Sequence, residues 1–151
     1  MDRSIVLLAH NIRSLWNVGS FFRTADAFGV EKLYLTGYTG LPPRREISKT
    51  ALGADEWIPW EHHQDPKKVI EELKNDGVRI VALEITQKAE DISVYASPEK
   101  VCLLVGHEVT GVPQELLDLC DDHVQIPMQG KKESLNVAVA TGVALHHLCR
   151  Q

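Results

Sequence analysis

The chain has 151 residues, of which 44% are hydrophobic and 25% are charged, and its formal net charge is −5. These values are typical of one globular domain, since about 150 residues can bury roughly 70% of the unfolded chain's surface, and they exclude a second full domain, a disordered chain and a collagen-like chain. The acidic balance also excludes a protein that coats nucleic acid with its whole surface, so any polyanion must meet local groups of positive charge.

Apolar segments of strand length alternate with helix-like segments, a pattern typical of an α/β domain with a mostly parallel sheet flanked by helices. The predicted strands are residues 4–9, 32–36, 57–60, 78–84, 101–105 and 123–126, and the predicted helices are residues 18–28, 66–75, 113–119 and 135–149. The third strand includes Trp57 and Trp60, which can stack on bases but are expected in the core. The helix at 66–75 has the clearest signals, because Asp65 can cap its start and Gly77 can end it.

The composition also predicts a cytoplasmic protein with no membrane partner. The longest apolar runs are too short to span a bilayer, and no apolar leader precedes the first strand. The three cysteines have no spacing typical of a disulfide framework or a zinc ribbon, which suits a reducing compartment. Adjacent histidines, as at His62-His63 and His146-His147, point apart on a strand or helix, so no metal site is expected.

The first segment with candidate functional residues is 17–25, which follows the first strand and opens a helix. Asn17 and Arg23 lie less than two helical turns apart, so both can project toward the strand ends if Asn17 starts the helix. The guanidinium of Arg23 offers a planar fork of donors that suits a phosphate oxygen. The same spacing also fits a helix cap followed by a surface arginine.

Two further segments, 103–113 and 126–140, each run from a strand through a loop into a helix. In the first, Gly106 allows a ligand to approach the backbone at the carboxyl end of the strand, and Glu108 can accept hydrogen bonds or stabilise positive charge. In the second, Ser134 is a candidate helix cap, and Ser134 and Asn136 occupy polar positions where an apolar helix begins. A plain strand–loop–helix connection would look similar in both segments.

Together the three segments resemble the motifs of the SpoU branch of the SPOUT RNA methyltransferases, the TrmH-like enzymes. The motifs N-x-G-x-x-x-R-T-A, G-x-E-x-x-G and I-P-M-x-G-x-x-x-S-L-N-V are all present. The resemblance implies a C-terminal deep trefoil knot, a homodimer with a shared active site and S-adenosylmethionine as the cofactor. Its expected activity is transfer of a methyl group to a ribose 2′-hydroxyl of tRNA or rRNA.

The resemblance also implies roles for individual residues. Arg23 resembles the family's catalytic arginine, which is proposed to act as a base. Because arginine ordinarily keeps its proton, we expect Arg23 instead to hold the 3′-phosphate of the target nucleotide and to stabilise the developing alkoxide. Glu108 would orient the active-site arginine or the backbone. The side chains expected to orient Arg23 and the ribose are those of Asn17, Ser134 and Asn136. The backbone expected to cradle the cofactor is that around Leu83, Glu84, Gly106, Ile126, Met128 and Leu135.

The candidate RNA contacts are Arg44, Arg45 and Lys49, which follow the second strand and would lie beside the active site in this family. A role in solubility explains each of these residues equally well when it is taken separately. The single domain over residues 1–151 is expected to have no N-terminal RNA-binding extension. Target selection would then come from the catalytic domain, the dimer or an accessory protein.

Two other classes of function stay open at this stage. One is a module of the same fold that binds the cofactor or RNA without turnover, although the intact motif residues argue against it. The other is an enzyme of the generic nucleotide-binding α/β type that acts on a small molecule. Such an enzyme would need a phosphate-binding loop, and neither G-x-G-x-x-G nor G-x-x-x-x-G-K-[ST] occurs in the chain.

Overall fold

Seven parallel strands form one sheet in the computed structural model, which describes residues 3–150. The strands are β1 (Ser4–His10), β2 (Lys32–Thr36), β3 (Trp60–His63), β4 (Arg79–Leu83), β5 (Glu90–Asp91), β6 (Lys100–Val105) and β7 (Asp122–Gln125). They pair in the order β3-β2-β1-β6-β4-β7-β5, and every pairing is parallel. The predicted sheet architecture is therefore confirmed, whereas the trefoil knot stays a prediction.

Helices cover both faces of the sheet. They are α1 (Leu15–Phe28), α2 (Arg45–Ala51), α3 (Ala54–Trp57), α4 (Pro66–Asn75), α5 (Gln114–Leu117) and α6 (Val137–Cys149), with a single 3₁₀ turn at Ile92–Val94. On β1, Leu7 packs in the core half that includes α1, α2 and α6, while Leu8 packs in the half that includes α4 and α5. Both faces of the strands are buried, which explains why successive residues of the strands are apolar. Among residues 3–150, no helix combines the length and the apolar character needed to cross a bilayer.

The sheet topology creates one edge at which the functional loops can meet. Because the strands run in the same direction, the loops that follow β1, β2, β4, β6 and β7 all lie at their carboxyl edge. The chain leaves β1 towards β2 but leaves β6 towards β7, in the opposite direction. The loops after β1 and β6 therefore meet at a topological switch point, the place where ligands commonly bind in open α/β sheets.

Two helices start at positions that differ from the prediction, because other residues cap them. Helix α1 starts before residue 18, since Ser14 is its cap and the Ser14 hydroxyl accepts a hydrogen bond from the backbone N–H of Asn17 at 3.2 Å. Helix α6 starts after residue 135, since its cap is Asn136 rather than Ser134. Oδ1 of Asn136 accepts a hydrogen bond from the backbone N–H of Ala138 at 2.8 Å.

The region after β2 differs most from the prediction. The predicted strand 57–60 is wrong at its start, because Trp57 ends helix α3 and only Trp60 lies in β3. Trp57 is also 57% exposed rather than buried in the core. Helix α2 was missed because its sequence places only Ile47 and Ala51 in the core, too few apolar residues to show a helical period.

Candidate active site

A cavity opens at the carboxyl ends of β4, β6 and β7, next to the start of α6. Its walls include all six residues that were predicted to cradle the cofactor, namely Leu83, Glu84, Gly106, Ile126, Met128 and Leu135. Glu108 and Ser134 also line it, whereas Asn17, Arg23 and Asn136 do not. The fold thus brings the second and third motifs together around one cavity.

Glu108 joins the loop after β6 to the loop after β1. Its Oε1 accepts a hydrogen bond from the backbone N–H of Arg13 at 2.8 Å. Its Oε2 accepts from the backbone N–H of Ser14 at 2.8 Å and from Nδ2 of Asn17 at 3.0 Å. Partial burial raises the pKa of the Glu108 carboxyl, but these hydrogen bonds lower it by more, so the pKa lies below its usual value. The ionised carboxylate therefore locks the two loops together at the switch point.

Glu84 holds the other end of the loop after β6. Its Oε2 accepts a hydrogen bond from the backbone N–H of Val112 at 2.9 Å. Gly111 has a φ of +72°, and a Cβ there would overlap this carboxylate, while a Cβ on Gly106 would lie 2.6 Å from the carbonyl oxygen of Gly111. Both glycines are therefore required for the loop to close on itself. At Gly106 the loop's own backbone, rather than a ligand, fills the space that the absent side chain leaves.

Arg23 lies in the middle of α1 with its side chain exposed to solvent. It forms no hydrogen bond or ion pair with any residue between 3 and 150. Asn17 lies on the same helix but is only 9% exposed, and the two side chains point in directions roughly 120° apart. Oδ1 of Asn136 is occupied in capping α6. Within one chain, therefore, the predicted orientation of Arg23 by Asn17, Ser134 and Asn136 is not observed.

The three candidate RNA contacts lie on one short helix and its cap. Arg44 is the cap residue of α2, Arg45 begins the helix and Lys49 lies in its last turn, and all three are exposed. Nη2 of Arg44 lies 3.8 Å from Oε2 of Glu46. Helix α2 packs closely on α1 at Gly19, where a Cβ would overlap atoms of Ile47 and Thr50. The glycine of the first motif thus allows the basic helix to lie directly against α1.

Sequence reasoning missed two exposed apolar residues at the cavity. Ile85 and Val109 line the cavity, yet they are 56% and 79% exposed. Both lie in loops, where polar residues are more usual. An apolar residue at a loop position was therefore the signal in the sequence that could have identified them. Exposed apolar side chains beside a cavity can cover a ligand that enters it.

His62 and His63 each contact another residue of the chain. His62 bonds through Nδ1 to the carbonyl oxygen of Leu35 at 2.9 Å, and Nε2 of His63 lies 2.7 Å from Oε1 of Glu61. Within residues 3–150, no group of three or more histidine, cysteine, aspartate or glutamate side chains is placed to hold a metal ion.

Comparison with known proteins relates this architecture to RNA methyltransferases. The profile of the SpoU rRNA Methylase family matches residues 4–146. The chain is 32% identical over 151 residues to the tRNA (guanosine(18)-2'-O)-methyltransferase of Aquifex aeolicus, covering 99% of this chain and 71% of that protein. It is 34% identical over 135 residues to the protein of the same name from Escherichia coli K12, covering 89% of this chain and 58% of that protein.

The structure is similar to that of the AdoMet-bound rRNA methyltransferase from Sinorhizobium meliloti. The TM-score is 0.92 at 29% sequence identity, over 99% of this chain and 57% of that one. The fold is that of a SPOUT-type methyltransferase, as the sequence predicts. This chain belongs to the SpoU methylase family, although it spans little more than half of the length of the Escherichia coli and Sinorhizobium meliloti proteins.

Proposed function

We propose that this protein is an S-adenosylmethionine-dependent methyltransferase that transfers a methyl group to a ribose 2′-hydroxyl of tRNA. The observation that carries the proposal is the convergence of the second and third motifs on one cavity at the carboxyl edge of the sheet. The Aquifex and Escherichia relatives are named as tRNA 2'-O-methyltransferases, which favours tRNA over rRNA, the substrate class in the name of the Sinorhizobium protein. A tRNA substrate favours a reaction in the cytoplasm.

The residues of the cavity fit S-adenosylmethionine in chemical character. Leu83, Ile126, Met128 and Leu135 supply apolar surface for an adenine ring, and the surrounding strand ends and loops supply backbone donors and acceptors for its polar edges. The ionised carboxylate of Glu108 also lines the cavity and suits a cofactor that carries positive charge. When bound, the cofactor supplies a methyl group that is activated by its attachment to a sulfonium.

The protein is proposed to act as a homodimer in which Arg23 of one copy serves the cavity of the other. Arg23 does not line the cavity of its own chain. On the same helix, Phe28 contributes with α6 to an open groove whose apolar residues include Val139 and Val143, which are 54% and 43% exposed. Exposed apolar surface of this kind marks a protein contact. A second copy packed on this groove would cover it and place a second Arg23 within reach of the cavity.

In the proposed reaction, the ribose 2′ oxygen forms a bond to the methyl carbon as the carbon–sulfur bond breaks. Arg23 binds the 3′-phosphate of the target nucleotide, and its charge stabilises the oxygen as the proton leaves to phosphate or water. Arg23 is not the base, since a guanidinium keeps its proton in proteins. Ser134 and Asn136 orient the ribose, while Glu108 and Asn17 keep the loops after β1 and β6 in place.

The test is incubation of the purified protein with methyl-labelled S-adenosylmethionine and unmodified total RNA, followed by nucleoside analysis of each size fraction. We expect a 2′-O-methylated nucleoside in the tRNA fraction and none with the Arg23→Ala variant. A methylated nucleoside in rRNA alone would show that the substrate is rRNA rather than tRNA. If the cofactor binds in calorimetry but no methyl group is transferred, a module without turnover or a need for an accessory protein would be favoured. A protein that binds no cofactor would contradict the proposal.

A further inference from the structure

Tyr38 is an exposed aromatic residue that two loops hold in place. It lies in the loop after β2 and is 58% exposed. Its backbone N–H donates a hydrogen bond to Oδ1 of Asn11 at 3.0 Å, in the loop after β1. Gly37, just before it, has a φ of +64°, and a Cβ there would overlap the same Oδ1. The backbone that carries the exposed ring is therefore fixed to the neighbouring strand end.

The Tyr38 ring also contacts a residue that lines the cavity. It meets the His107 ring with centroids 6.5 Å apart and planes at 77°. His107 is itself oriented, because its Nδ1 accepts hydrogen bonds from the backbone N–H groups of Val109 at 3.0 Å and Thr110 at 3.1 Å. The Tyr38 hydroxyl, in contrast, has no hydrogen-bond partner among residues 3–150. Tyr38 thus presents a positioned ring at the rim of the cavity, and most of that ring is open to solvent.

The strand order places the loop that carries Tyr38 two strands away from β6, at the same carboxyl edge of the sheet as the cavity. The cavity lies at the ends of β6, β4 and β7, and β1 and then β2 follow on the other side of β6. The chain continues from Tyr38 through a short loop to Arg44 and Arg45 at the start of α2. An RNA strand that contacts Arg44 or Arg45 through its phosphates and places a ribose at the cavity would pass near Tyr38, because Tyr38 contacts His107 at the cavity and precedes α2 along the chain.

We infer that Tyr38 stacks on a base of the RNA next to the nucleotide that is methylated. Every base has an aromatic face, and unpaired RNA bases are commonly bound by stacking on tyrosine. Contacts to phosphate hold the backbone of the RNA, whereas a stacked base also fixes the position of the adjoining ribose, which in-line methyl transfer requires. This inference rests on the proposed function and deepens it by assigning a substrate-binding residue to the same site.

The test compares Tyr38→Ala with Tyr38→Phe, and uses Trp57→Ala as a matched control. Trp57 is exposed to nearly the same degree, 57%, but its Nε1 donates to Oδ1 of Asp26 near the far end of α1 from the cavity. With a pool of unmodified tRNA transcripts, Tyr38→Ala should raise the Kd for RNA and the KM on the order of 10-fold. Tyr38→Phe and Trp57→Ala should bind RNA like the unchanged protein, and all three should bind S-adenosylmethionine normally.

The dependence of binding on salt separates stacking from contacts to phosphate. Arg45→Ala should lower the slope of log K against log salt concentration by about one, whereas Tyr38→Ala should weaken binding without changing that slope. The inference is overturned if Tyr38→Ala binds the tRNA pool as tightly as the unchanged protein, if Tyr38→Phe is as weak as Tyr38→Ala, or if Trp57→Ala weakens binding equally. Failure of the proposed function is distinguishable, because the unchanged protein would then transfer no methyl group.

Discussion

At the scale of single residues, the carboxylate of Glu108 connects segments that lie far apart in the chain. It accepts hydrogen bonds from the backbone of Arg13 and Ser14, which precede it by 95 and 94 residues, and from the side chain of Asn17. No other residue of the second motif forms a described hydrogen bond with the loop after β1. Glu108 therefore contributes to the stability of the domain as well as to the shape of the proposed site.

Glu108→Gln should lower the free energy of unfolding by about 1 kcal/mol at pH 7, because an amide has one acceptor oxygen instead of two. The pKa of Glu108 is lowered in the folded state, so its stabilising effect is fully present above the unfolded pKa of about 4.3. That effect is lost as the pH falls through the lower folded pKa. Urea unfolding of the two proteins at several pH values should therefore give stabilities that converge in acid.

A matched control for this variant is Glu115→Gln on α5. Glu115 forms an exposed ion pair with Lys67 at 3.2 Å, and exposed pairs of this kind contribute little to stability. Its replacement should change the free energy of unfolding by less than about 0.5 kcal/mol at any pH. A stability difference at Glu108 that stays constant with pH would show that ionisation of this carboxyl is not what stabilises the loops.

At the scale of secondary-structure elements, the contact of α1 with α2 depends on Gly19. A Cβ at this position would overlap the carbonyl oxygen of Ile47, which cannot move without moving the α2 backbone, as well as Oγ1 of Thr50. The hydroxyl of Thr50 donates to the carbonyl oxygen of Trp16 at 2.8 Å and so ties the two helices together. The basic helix α2 can therefore occupy this position only because residue 19 has no side chain.

Gly19→Ala should therefore destabilise the domain by about 1–3 kcal/mol, although alanine normally favours a helix. It should also weaken binding to tRNA while leaving the Kd for S-adenosylmethionine unchanged, since α2 does not line the cavity. Ser20→Ala, at the next position of α1, should change the stability by less than about 0.5 kcal/mol. Thermal unfolding and calorimetry measure these effects, and equal stability of the two variants would contradict the close contact.

Asn136 caps α6 and is proposed to contact the substrate as well, and variants of this residue can separate the two roles. Its Oδ1 caps α6, whereas its Nδ2 has no hydrogen-bond partner among residues 3–150. Asn136→Ala should cost about 1 kcal/mol of stability, and Asn136→Ser should keep the cap. If Nδ2 contacts the ribose, Asn136→Ser should keep the stability but lower kcat/KM. Full activity of a stable Asn136→Ser variant would limit the role of this residue to capping.

At the scale of the whole molecule, the proposed active site is divided between two copies of the chain. The overall net charge is −5, so binding of RNA depends on the local basic groups and should weaken steeply as salt is added. Arg23 is exposed and does not line the cavity of its own chain. Activity should therefore depend on assembly of the dimer.

Two inactive variants should restore activity to each other when they form mixed dimers. Arg23→Ala removes the arginine, and Leu135→Arg obstructs the cavity, so neither homodimer has a working site. A mixed dimer has two sites, one of which is free of both defects. Random mixing makes about half of the dimers mixed, so about a quarter of the unchanged activity should be recovered. Methyl transfer after co-expression measures this recovery. No recovery in dimers that are shown to be mixed would mean that the arginine acts within its own chain.

Local patterns in the sequence determined most of the elements and the short motifs. Helix α4 forms over the predicted residues, because Asp65 caps it by accepting from the N–H of Lys67 at 3.0 Å, and Gly77 follows it with a φ of +82°. The six residues predicted to hold the cofactor line one cavity, because they lie at the ends of β4, β6 and β7 or in the loops that follow, and parallel strands end at one edge. Such features depend on neighbours along the chain, and sequence patterns therefore predict them.

The tertiary structure alone decided which loops meet and which side chains stay exposed. The strand order places the loop after β6 between the loops after β1 and β4, so that Glu108 contacts Asn17 and Glu84 contacts Val112. It also brings Tyr38 to His107 and leaves Arg23 outside the lining of its own cavity. These contacts join residues far apart in the chain, and no local periodicity or spacing specifies them, because they depend on how the elements pack together.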